Sequence, residues 1–279
     1  MREVRFHAMG TDCHIRVVGP ADLEWAQSEV RRLERLWTRF QPSELLALDA
    51  QPRLVDPDTR LLVERAVAGY DMSGGAFNPF LVAQIRAAGY DRDFDELSPA
   101  AQGPAQPGIR ADVTIDGDVV SSSLPIDSGG IGKGVAADLL VQRLLARGAS
   151  GALVNLGGDV RCAADSPGNT WRVGIETPVA IERPLSVALQ DGAVCTSTPL
   201  LRQWQTADGG SAHHLLDPRT GRPAESDFAS VTVIAREAWL AEVLSKAVFL
   251  LPTARARHLL GTHDAGAILV TVSGGVSQI

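Results

Sequence analysis

The order of hydrophobic patterns along the chain is the feature that most constrains its fold. Residues 21–40 carry apolar positions near a 3.6-residue period with Asp22 as the expected cap, and further helical patterns cover residues 59–70 and follow Pro79. A strand is predicted at residues 14–18, and after residue 151 short strands dominate, at residues 151–156, 171–175, 185–189, 193–197, 231–234 and 267–272, with one more helix over about residues 236–251. Helices first and a strand-rich second half predict an α+β domain with two lobes.

Composition narrows the class of protein further. A chain of 279 residues with 45% hydrophobic and 21% charged residues can bury a sizeable core, which excludes disordered, collagen-like and coiled-coil proteins. The net charge of −7 argues against a nucleic-acid partner, which would require a basic surface. The three cysteines form no CxxC pair, residues 1–12 lack the apolar core of a signal peptide, and no window approaches a membrane span. We therefore expect a cytoplasmic protein.

Lysine is rare in this chain. Only Lys133 and Lys246 occur beside 24 arginines. Against this background, each lysine is a candidate for a site that needs a compact ammonium group and would not accept a guanidinium. The alternative explanation is that these two lysines remain in the sequence by chance.

A glycine-rich segment, DSGGIGKG at residues 127–134, opens a predicted helix that ends at Gly148. Glycines let backbone N–H groups approach an anion, the start of a helix adds positive potential, and Lys133 adds a formal charge. The segment is not a P-loop, because Asp127 stands where the first glycine belongs and Gly134 replaces the required Ser or Thr. Taken alone, it is equally consistent with a structural turn that packs a helix on a sheet.

Two further segments combine turn residues with reactive side chains. NLGGDV, at residues 155–160, is by itself typical of a hairpin turn. HHLLDPRTGRP, at residues 213–223, sets His214 beside an Asp-Pro turn that would present it on a rigid loop, although a packed histidine is the common alternative. No GxSxG, HExxH or zinc-ligand spacing occurs, so the sequence gives no support to a serine hydrolase or a zinc enzyme.

Taken together, these segments resemble the ApbE family of flavin transferases. The resemblance runs from residue 9 to about residue 251 and depends on eight motifs in the family's order: MGTDCHIRV (9–17), RFQPSELLALD (39–49), GGAFNPF (74–80), IDSGGIGKGVAAD (126–138), ALVNLGGDV (152–160), CTST (195–198), HLLDPRTGRPA (214–224) and SVTVIAREAWLAEVLSKAVFLL (230–251). The resemblance implies a single α+β domain over residues 1–279, with two lobes and a T-fold-like architecture.

The resemblance also implies an activity and a set of site residues. Members of the family hold FAD and, with Mg²⁺, transfer its FMN part to a Ser or Thr hydroxyl of a partner protein, releasing AMP. By motif match, FAD contacts are expected at Met9, Phe40, Ala76, Phe77, Asn78, Asp127, Lys133, Thr196, Ser197, Leu215 and Ser245. His214 matches the family's essential histidine, and we expect His214 and Lys246 to be the catalytic residues.

This chain departs from the family pattern at the metal site. The family usually has Asp and, four residues on, Thr as Mg²⁺ ligands, together with a backbone carbonyl; this chain has Glu242, Lys246 and the carbonyl of Gly130 at those places, and Asn78 where Asp is usual. A protonated Lys246 has no lone pair for a metal, so we expect its ammonium to replace Mg²⁺. The alternative is that Glu242 and the Gly130 carbonyl still hold the metal.

Three functions are consistent with this pattern. The leading hypothesis is FMN transfer from FAD to a partner protein, at a rate lowered by the change at the metal site, because one positive charge stabilises a phosphoryl transition state less than two. The first alternative is a protein that binds FAD without transferring FMN, as a flavin carrier or a redox enzyme. The second is an FAD pyrophosphatase that yields FMN and AMP.

Overall fold

An antiparallel sheet of eight strands forms the centre of the computed structural model, which describes residues 1–97, 102–164, 170–207 and 209–279. The strands of the described residues are β1 (Arg2–Ala8), β2 (Thr11–Val18), β3 (Arg53–Leu54), β4 (Val113–Asp116), β5 (Val119–Ser122), β6 (Gly151–Leu156), β7 (Asp159–Ala164), β8 (Trp171–Ile175), β9 (Leu185–Leu189), β10 (Gly192–Ser197), β11 (Gln203–Gln205), β12 (Ser211–His213), β13 (Leu216–Asp217), β14 (Arg222–Pro223), β15 (Phe228–Ala235), β16 (Gly266–Thr271) and β17 (Val276–Gln278). The main sheet has the order β1-β2-β6-β7-β10-β15-β16-β17.

Five of the six α-helices of the described residues lie where the sequence predicts them, and the sixth, directly after Pro252, was not predicted. The helices are α1 (Leu23–Trp37), α2 (Pro57–Met72), α3 (Val82–Ala87), α4 (Gly132–Ala146), α5 (Ala238–Leu250) and α6 (Thr253–Thr262). The Asp22 side chain caps α1 by accepting a hydrogen bond from the backbone N–H of Trp25, and Gly148 ends α4 in the left-handed region at φ +95°. The predicted α+β class is confirmed.

The two faces of the main sheet are covered differently. Successive side chains of a strand point to opposite faces. In β6, Val154 packs into the large core with α4 and α5, whereas Leu153 joins a smaller cluster beneath the hairpin β8–β9, which contains Trp171. Helices therefore cover one face of the sheet and a two-stranded hairpin covers part of the other.

Helix α5 is buried along nearly its whole length. Eleven of its 13 residues are buried, as expected of a helix that is apolar on all sides and packs between the sheet and α4. Helix α4 approaches it closely at Gly134, where an added Cβ would lie 2.6 Å from the carbonyl oxygen of Ala238. This close approach brings Lys133, at the start of α4, next to Glu242 and Lys246 of α5.

Candidate active site

A cleft of about 590 Å³ opens between the β1–β2 turn, the end of α1, the glycine-rich turn before α4 and the second half of α5. Ligand sites of proteins commonly have volumes of about 300–1,000 Å³. The structure brings the following predicted site residues to the walls of this cleft: Met9, Phe40, Ala76, Phe77, Asn78, Asp127, Gly130, Lys133, His214, Leu215 and Lys246. Residues from both halves of the chain thus meet at one place.

The β1–β2 turn presents Met9 to the cleft in a strained backbone conformation. Ala8 pairs with Thr11, so Met9 and Gly10 form a two-residue turn, and both have positive φ, at 55° and 63°. A non-glycine residue in this region costs free energy, and such residues cluster at functional sites. The backbone N–H of Met9 donates to Glu34 Oε1 at 2.5 Å, which fixes the turn against α1.

The glycine-rich turn forms the floor of the cleft. Asp127 Oδ1 accepts a hydrogen bond from the N–H of Gly129 at 2.9 Å, and the Ser128 hydroxyl donates to the carbonyl of Trp37 at 2.8 Å. An added Cβ at Gly130 would lie 3.1 Å from the Phe77 ring and 3.3 Å from Lys246 Cε. A side chain at this position would therefore require the Phe77 ring or the Lys246 stem to shift by a few tenths of an ångström.

Four charged side chains form a cluster beneath the cleft, which we call the lysine–carboxylate cluster: Lys133, Asp159, Glu242 and Lys246. Lys133 Nζ makes a hydrogen-bonded ion pair with Asp159 and lies 3.8 Å from Glu242 Oε1. Lys246 Nζ lies 3.3 Å from the same Glu242 oxygen, and Glu242 Oε2 accepts the backbone N–H of Gly134 at 2.8 Å. Glu242 therefore bridges the two lysines.

Burial and charge act in opposite directions within this cluster. Burial acts to lower the pKa of Lys133, but the negative charges of Asp159 and Glu242 outweigh it and hold the pKa above the ordinary value. Burial raises the pKa of Glu242, while Lys246 and Lys133 act to lower it. Both lysines line the cleft and keep part of their side chains exposed, so their positive charges are available to a ligand.

His214 lines the same cleft, directly after β12. Burial lowers its pKa well below the ordinary value of 6.5, and the positive charges of Arg202 and Lys246 lower it further. His214 is therefore a neutral imidazole at pH 7. Its Nδ1 atom is buried and contacts no hydrogen-bonding partner among the described residues. A neutral histidine near the Lys246 ammonium and the Arg202 guanidinium can accept a proton from a hydroxyl group.

Aromatic and arginine side chains form the far wall of the cleft. The Arg39 guanidinium lies 4.7 Å from the centre of the Phe40 ring and 4.2 Å from that of Tyr90. Arg202 donates to the Tyr90 hydroxyl at 3.1 Å and to the carbonyl of Gly10 at 3.0 Å, which ties this wall to the β1–β2 turn. Such a wall offers ring faces and hydrogen-bond donors to a planar ligand.

The remaining predicted site residues lie behind the cleft wall. The hydroxyl groups of Thr196 and Thr232 are 2.8 Å apart, those of Ser197 and Ser245 are 2.7 Å apart, and Ser245 also donates to the carbonyl of Glu242. Glu242 itself is fully buried. Contacts of Thr196, Ser197 and Ser245 with FAD stay predictions, because in this structure these hydroxyl groups bond to neighbouring side chains and to the backbone.

Sequence reasoning missed Asp159, Arg39, Tyr90 and Arg202. Asp159 ends the NLGGDV segment, and Arg39 opens the RFQPSELLALD motif, so both were within segments that the sequence marks. Tyr90 and Arg202 carry no motif, and only the three-dimensional fold shows that they meet at the cleft.

The residues at the predicted metal site do not fit Mg²⁺. Mg²⁺ requires about six oxygen ligands in octahedral geometry. Both oxygens of the Glu242 carboxylate already contact hydrogen-bond donors, and one lies beside two ammonium groups, which would repel a divalent cation. Among the described residues, no group of three or more His, Cys, Asp or Glu side chains is placed to hold a metal ion.

In the part of the chain that the structure describes, none of the helices combines the length and apolar character needed to cross a bilayer.

Fold and cleft together define a class: α+β proteins whose ligand cleft combines a glycine-rich helix start, aromatic side chains and a neutral histidine. The ApbE family profile matches residues 9–269, and the chain belongs to the ApbE family.

Named relatives and solved structures agree with this assignment. The FAD:protein FMN transferase of Treponema pallidum is 35% identical, over 87% of this chain and 76% of that protein. The FAD:protein FMN transferase of Vibrio cholerae is 26% identical, over 94% and 85%. The crystal structure of the ApbE protein of Thermotoga maritima superimposes with a TM-score of 0.82 at 26% identity, covering 99% of this chain and 96% of that chain.

Proposed function

We propose that the chain transfers the FMN part of FAD to a Ser or Thr hydroxyl of a partner protein and releases AMP. The observation that carries the proposal is the neutral His214 in the same cleft as the Lys133 and Lys246 ammonium groups. Membership of the ApbE family and the names of the two relatives, both FAD:protein FMN transferases, support the same activity.

The transfer forms one bond and breaks one. The acceptor hydroxyl oxygen bonds to the phosphorus on the FMN side of the FAD diphosphate, and the bond from that phosphorus to the bridging oxygen breaks, so AMP leaves. His214 accepts the hydroxyl proton, since it is neutral at pH 7 and lies in the same cleft. Lys133 and Lys246 stabilise the negative charge that develops on the phosphoryl oxygens.

Lys246 takes the place of a metal in this proposal. Its ammonium reaches the Glu242 carboxylate and its stem packs against Gly130, where the family resemblance places Mg²⁺. A single positive charge stabilises the transition state less than a divalent cation and coordinates no oxygen. We therefore propose that FAD binds without a divalent metal and that FMN transfer is slow. A cytoplasmic setting stays a prediction, which the three unpaired, buried cysteines support.

Release of AMP, measured with and without an acceptor protein, tests the proposed function. Purified protein and FAD are incubated with a partner protein that carries a candidate Ser or Thr, and AMP and protein-bound flavin are quantified. Covalent flavin on the acceptor, in equal amount to AMP, is the expected result. Release of AMP together with free FMN would instead identify an FAD pyrophosphatase, and FAD that stays intact would identify a flavin carrier or redox protein.

Substitution of His214 tests its assignment as the base. General-base catalysis contributes roughly 10²–10⁴-fold to a rate, so His214→Asn should lower AMP release by about a hundredfold or more. His213→Asn is the matched control, since His213 is adjacent in sequence, does not line the cleft and binds the carbonyl of Ala224 at 3.1 Å. Equal losses in the two variants would show that the effect is structural.

A further inference from the structure

Asp159 is a buried carboxylate directly behind a lysine of the cleft. It is the first residue of β7, its side chain is 3% exposed, and it makes a hydrogen-bonded ion pair with Lys133 Nζ. Asp159 does not line the cleft, whereas Lys133 does. Neither the sequence motifs nor the proposed transfer step gives this carboxylate a role, although a buried charge is costly unless it is paired.

The two lysines of the lysine–carboxylate cluster are held in different ways. Lys246 donates to both the side chain and the backbone carbonyl of Glu242, each at 3.3 Å. Lys133 lies 3.8 Å from Glu242, beyond hydrogen-bond distance, so its hydrogen bond to Asp159 is the contact that orients it. The four-carbon stem of a lysine is flexible, and its ammonium has no preferred direction without such a partner.

From this arrangement, and on the basis of the proposed function, we infer that Asp159 is a positioning residue that fixes the Lys133 ammonium toward the diphosphate of FAD. When the Lys133 ammonium is already ordered, ligand binding does not have to immobilise a flexible side chain, so less entropy is lost on binding. Asp159 thus acts through Lys133 and not by contact with the substrate. Asp159 also has a second effect, which lowers the affinity for the ligand, because its negative charge repels a nearby diphosphate.

The affinities of ADP and riboflavin separate these two effects. ADP contains the diphosphate and riboflavin lacks it, so an effect through Lys133 changes the affinity for ADP alone. Asp159→Asn should weaken ADP binding and slow AMP release from FAD by about tenfold, the size found when a partner that orients a ligand-binding side chain is removed. Riboflavin affinity should stay unchanged. Tighter ADP binding would overturn the inference, because it would show that Asp159 acts only as a repelling charge.

A double-mutant cycle tests whether Asp159 acts through Lys133. In a Lys133→Met background, Asp159→Asn should no longer weaken ADP binding or slow AMP release; the only effect left should be tighter ADP binding, because a repelling charge is removed. Lys133→Met alone should lower the melting temperature, because it leaves a buried carboxylate unpaired, and adding Asp159→Asn should restore part of that loss. Additive effects of the two substitutions on ADP affinity would overturn the inference.

Asp138→Asn is the matched structural control. Asp138 is a half-buried aspartate, and it accepts the backbone N–H groups of Ala238 and Trp239 at 2.9 Å each, at the start of the helix that carries Lys246. Its substitution should lower the melting temperature without changing the ratio of ADP to riboflavin affinity. If Asp138→Asn shifts that ratio as much as Asp159→Asn does, the effect is a general loss of structure and the inference fails.

Wild-type measurements distinguish this inference from the proposed function. Wild-type protein that binds FAD and ADP but releases no AMP contradicts the transfer activity and leaves the ADP affinities of the variants as the test of Asp159. Wild-type protein that transfers FMN while Asp159→Asn behaves like wild type contradicts only the positioning role. Protein that binds neither FAD nor ADP overturns both.

Discussion

His214 is half-buried in the cleft, and the charged groups that act on its pKa are positive. Arg202 and Lys246 face it, the neighbouring His213 adds to their effect, and burial is the largest cause of its lowered pKa. A group with this environment binds a proton more weakly in the folded chain than in the unfolded chain. Its charge state therefore links the base of the proposed reaction to the stability of the fold.

The pH dependence of stability should reveal this histidine. Below the unfolded pKa of about 6.5, the unfolded chain binds more protons at His214 than the folded chain, so the free energy of unfolding falls as the pH falls. Between pH 7.5 and 5.5 the loss due to His214 should be at most about 1.4 kcal/mol, the limit reached if the folded chain binds no proton there. Urea unfolding at both pH values checks this: wild type should lose more stability than His214→Asn, and parallel pH profiles would contradict the lowered pKa.

The proposed role of Lys246 predicts how FAD binding and AMP release depend on Mg²⁺. If the Lys246 ammonium replaces the metal, as proposed, FAD affinity measured by fluorescence titration should change little when EDTA is added. The double substitution Lys246→Thr with Glu242→Asp restores the family's ligand types and should make binding or AMP release depend on Mg²⁺. Wild-type binding that collapses on chelation and returns with Mg²⁺ would show that Glu242 and the Gly130 carbonyl hold a metal.

At the residue scale, the sequence located reactive groups better than it located their partners. Rarity and motif position singled out Lys133, Lys246 and His214, and all three line one cleft. Asp159 could not be distinguished from an ordinary hairpin aspartate, because its role depends on which cation lies against it. The pairing of Lys133 with Asp159 depends on the packing of α4 against the sheet, which no local pattern encodes.

Between elements, α4 and α5 approach each other closely near the site. An added Cβ at Gly134 would lie 2.6 Å from the carbonyl oxygen of Ala238 and 2.7 Å from Trp239 Cα, both of them backbone atoms that cannot turn aside. The N–H of Gly134 also binds Glu242. Spacing between the two helices therefore sets the geometry of the lysine–carboxylate cluster.

Alanine substitution at two helical glycines should have opposite effects on stability. Gly134→Ala should force the helices apart and lower the free energy of unfolding by about 1–3 kcal/mol or more. Gly261→Ala is the matched control in α6, where an added Cβ meets nothing within 4 Å, and it should raise stability by about 0.5–1 kcal/mol. Chemical unfolding of both variants measures this, and a neutral Gly134→Ala would contradict the close packing.

Element prediction succeeded where a local signal was strong. The Asp22 cap, the apolar period of α1 and the Gly148 end of α4 identified those helices to within a few residues. Strand β1 was missed, because REVRFHA alternates charged with partly buried residues and lies at the edge of the sheet. The strand order was equally beyond local patterns, since β2 pairs with β6 although four helices, β3 and the hairpin β4–β5 lie between them in the chain.

For the molecule as a whole, the first and the last strand of the described residues belong to the same sheet. β1 and β17 are its two edges, and the cleft takes residues from the β1–β2 turn through to α5. We therefore expect residues 1–279 to unfold as a single cooperative unit. Calorimetry should show one unfolding transition. FAD at a hundred times its Kd should add about 2.7 kcal/mol to the free energy of unfolding and so raise the temperature of that transition. Two transitions, only one of them responding to FAD, would contradict a single domain.

The pairing of β2 with β6 also has a consequence for the newly made chain. Cys13 lies opposite Leu156, so roughly 140 residues separate partners in the same sheet. At a synthesis rate of about 5–20 residues per second, the hairpin that carries Met9 leaves the ribosome about 7–28 s before its neighbouring strand exists. During that interval β2 presents an open row of hydrogen-bonding groups to other chains, and its apolar side chains have no core to enter. Production of this protein should therefore depend on chaperones that shield its first hairpin until β6 has been made.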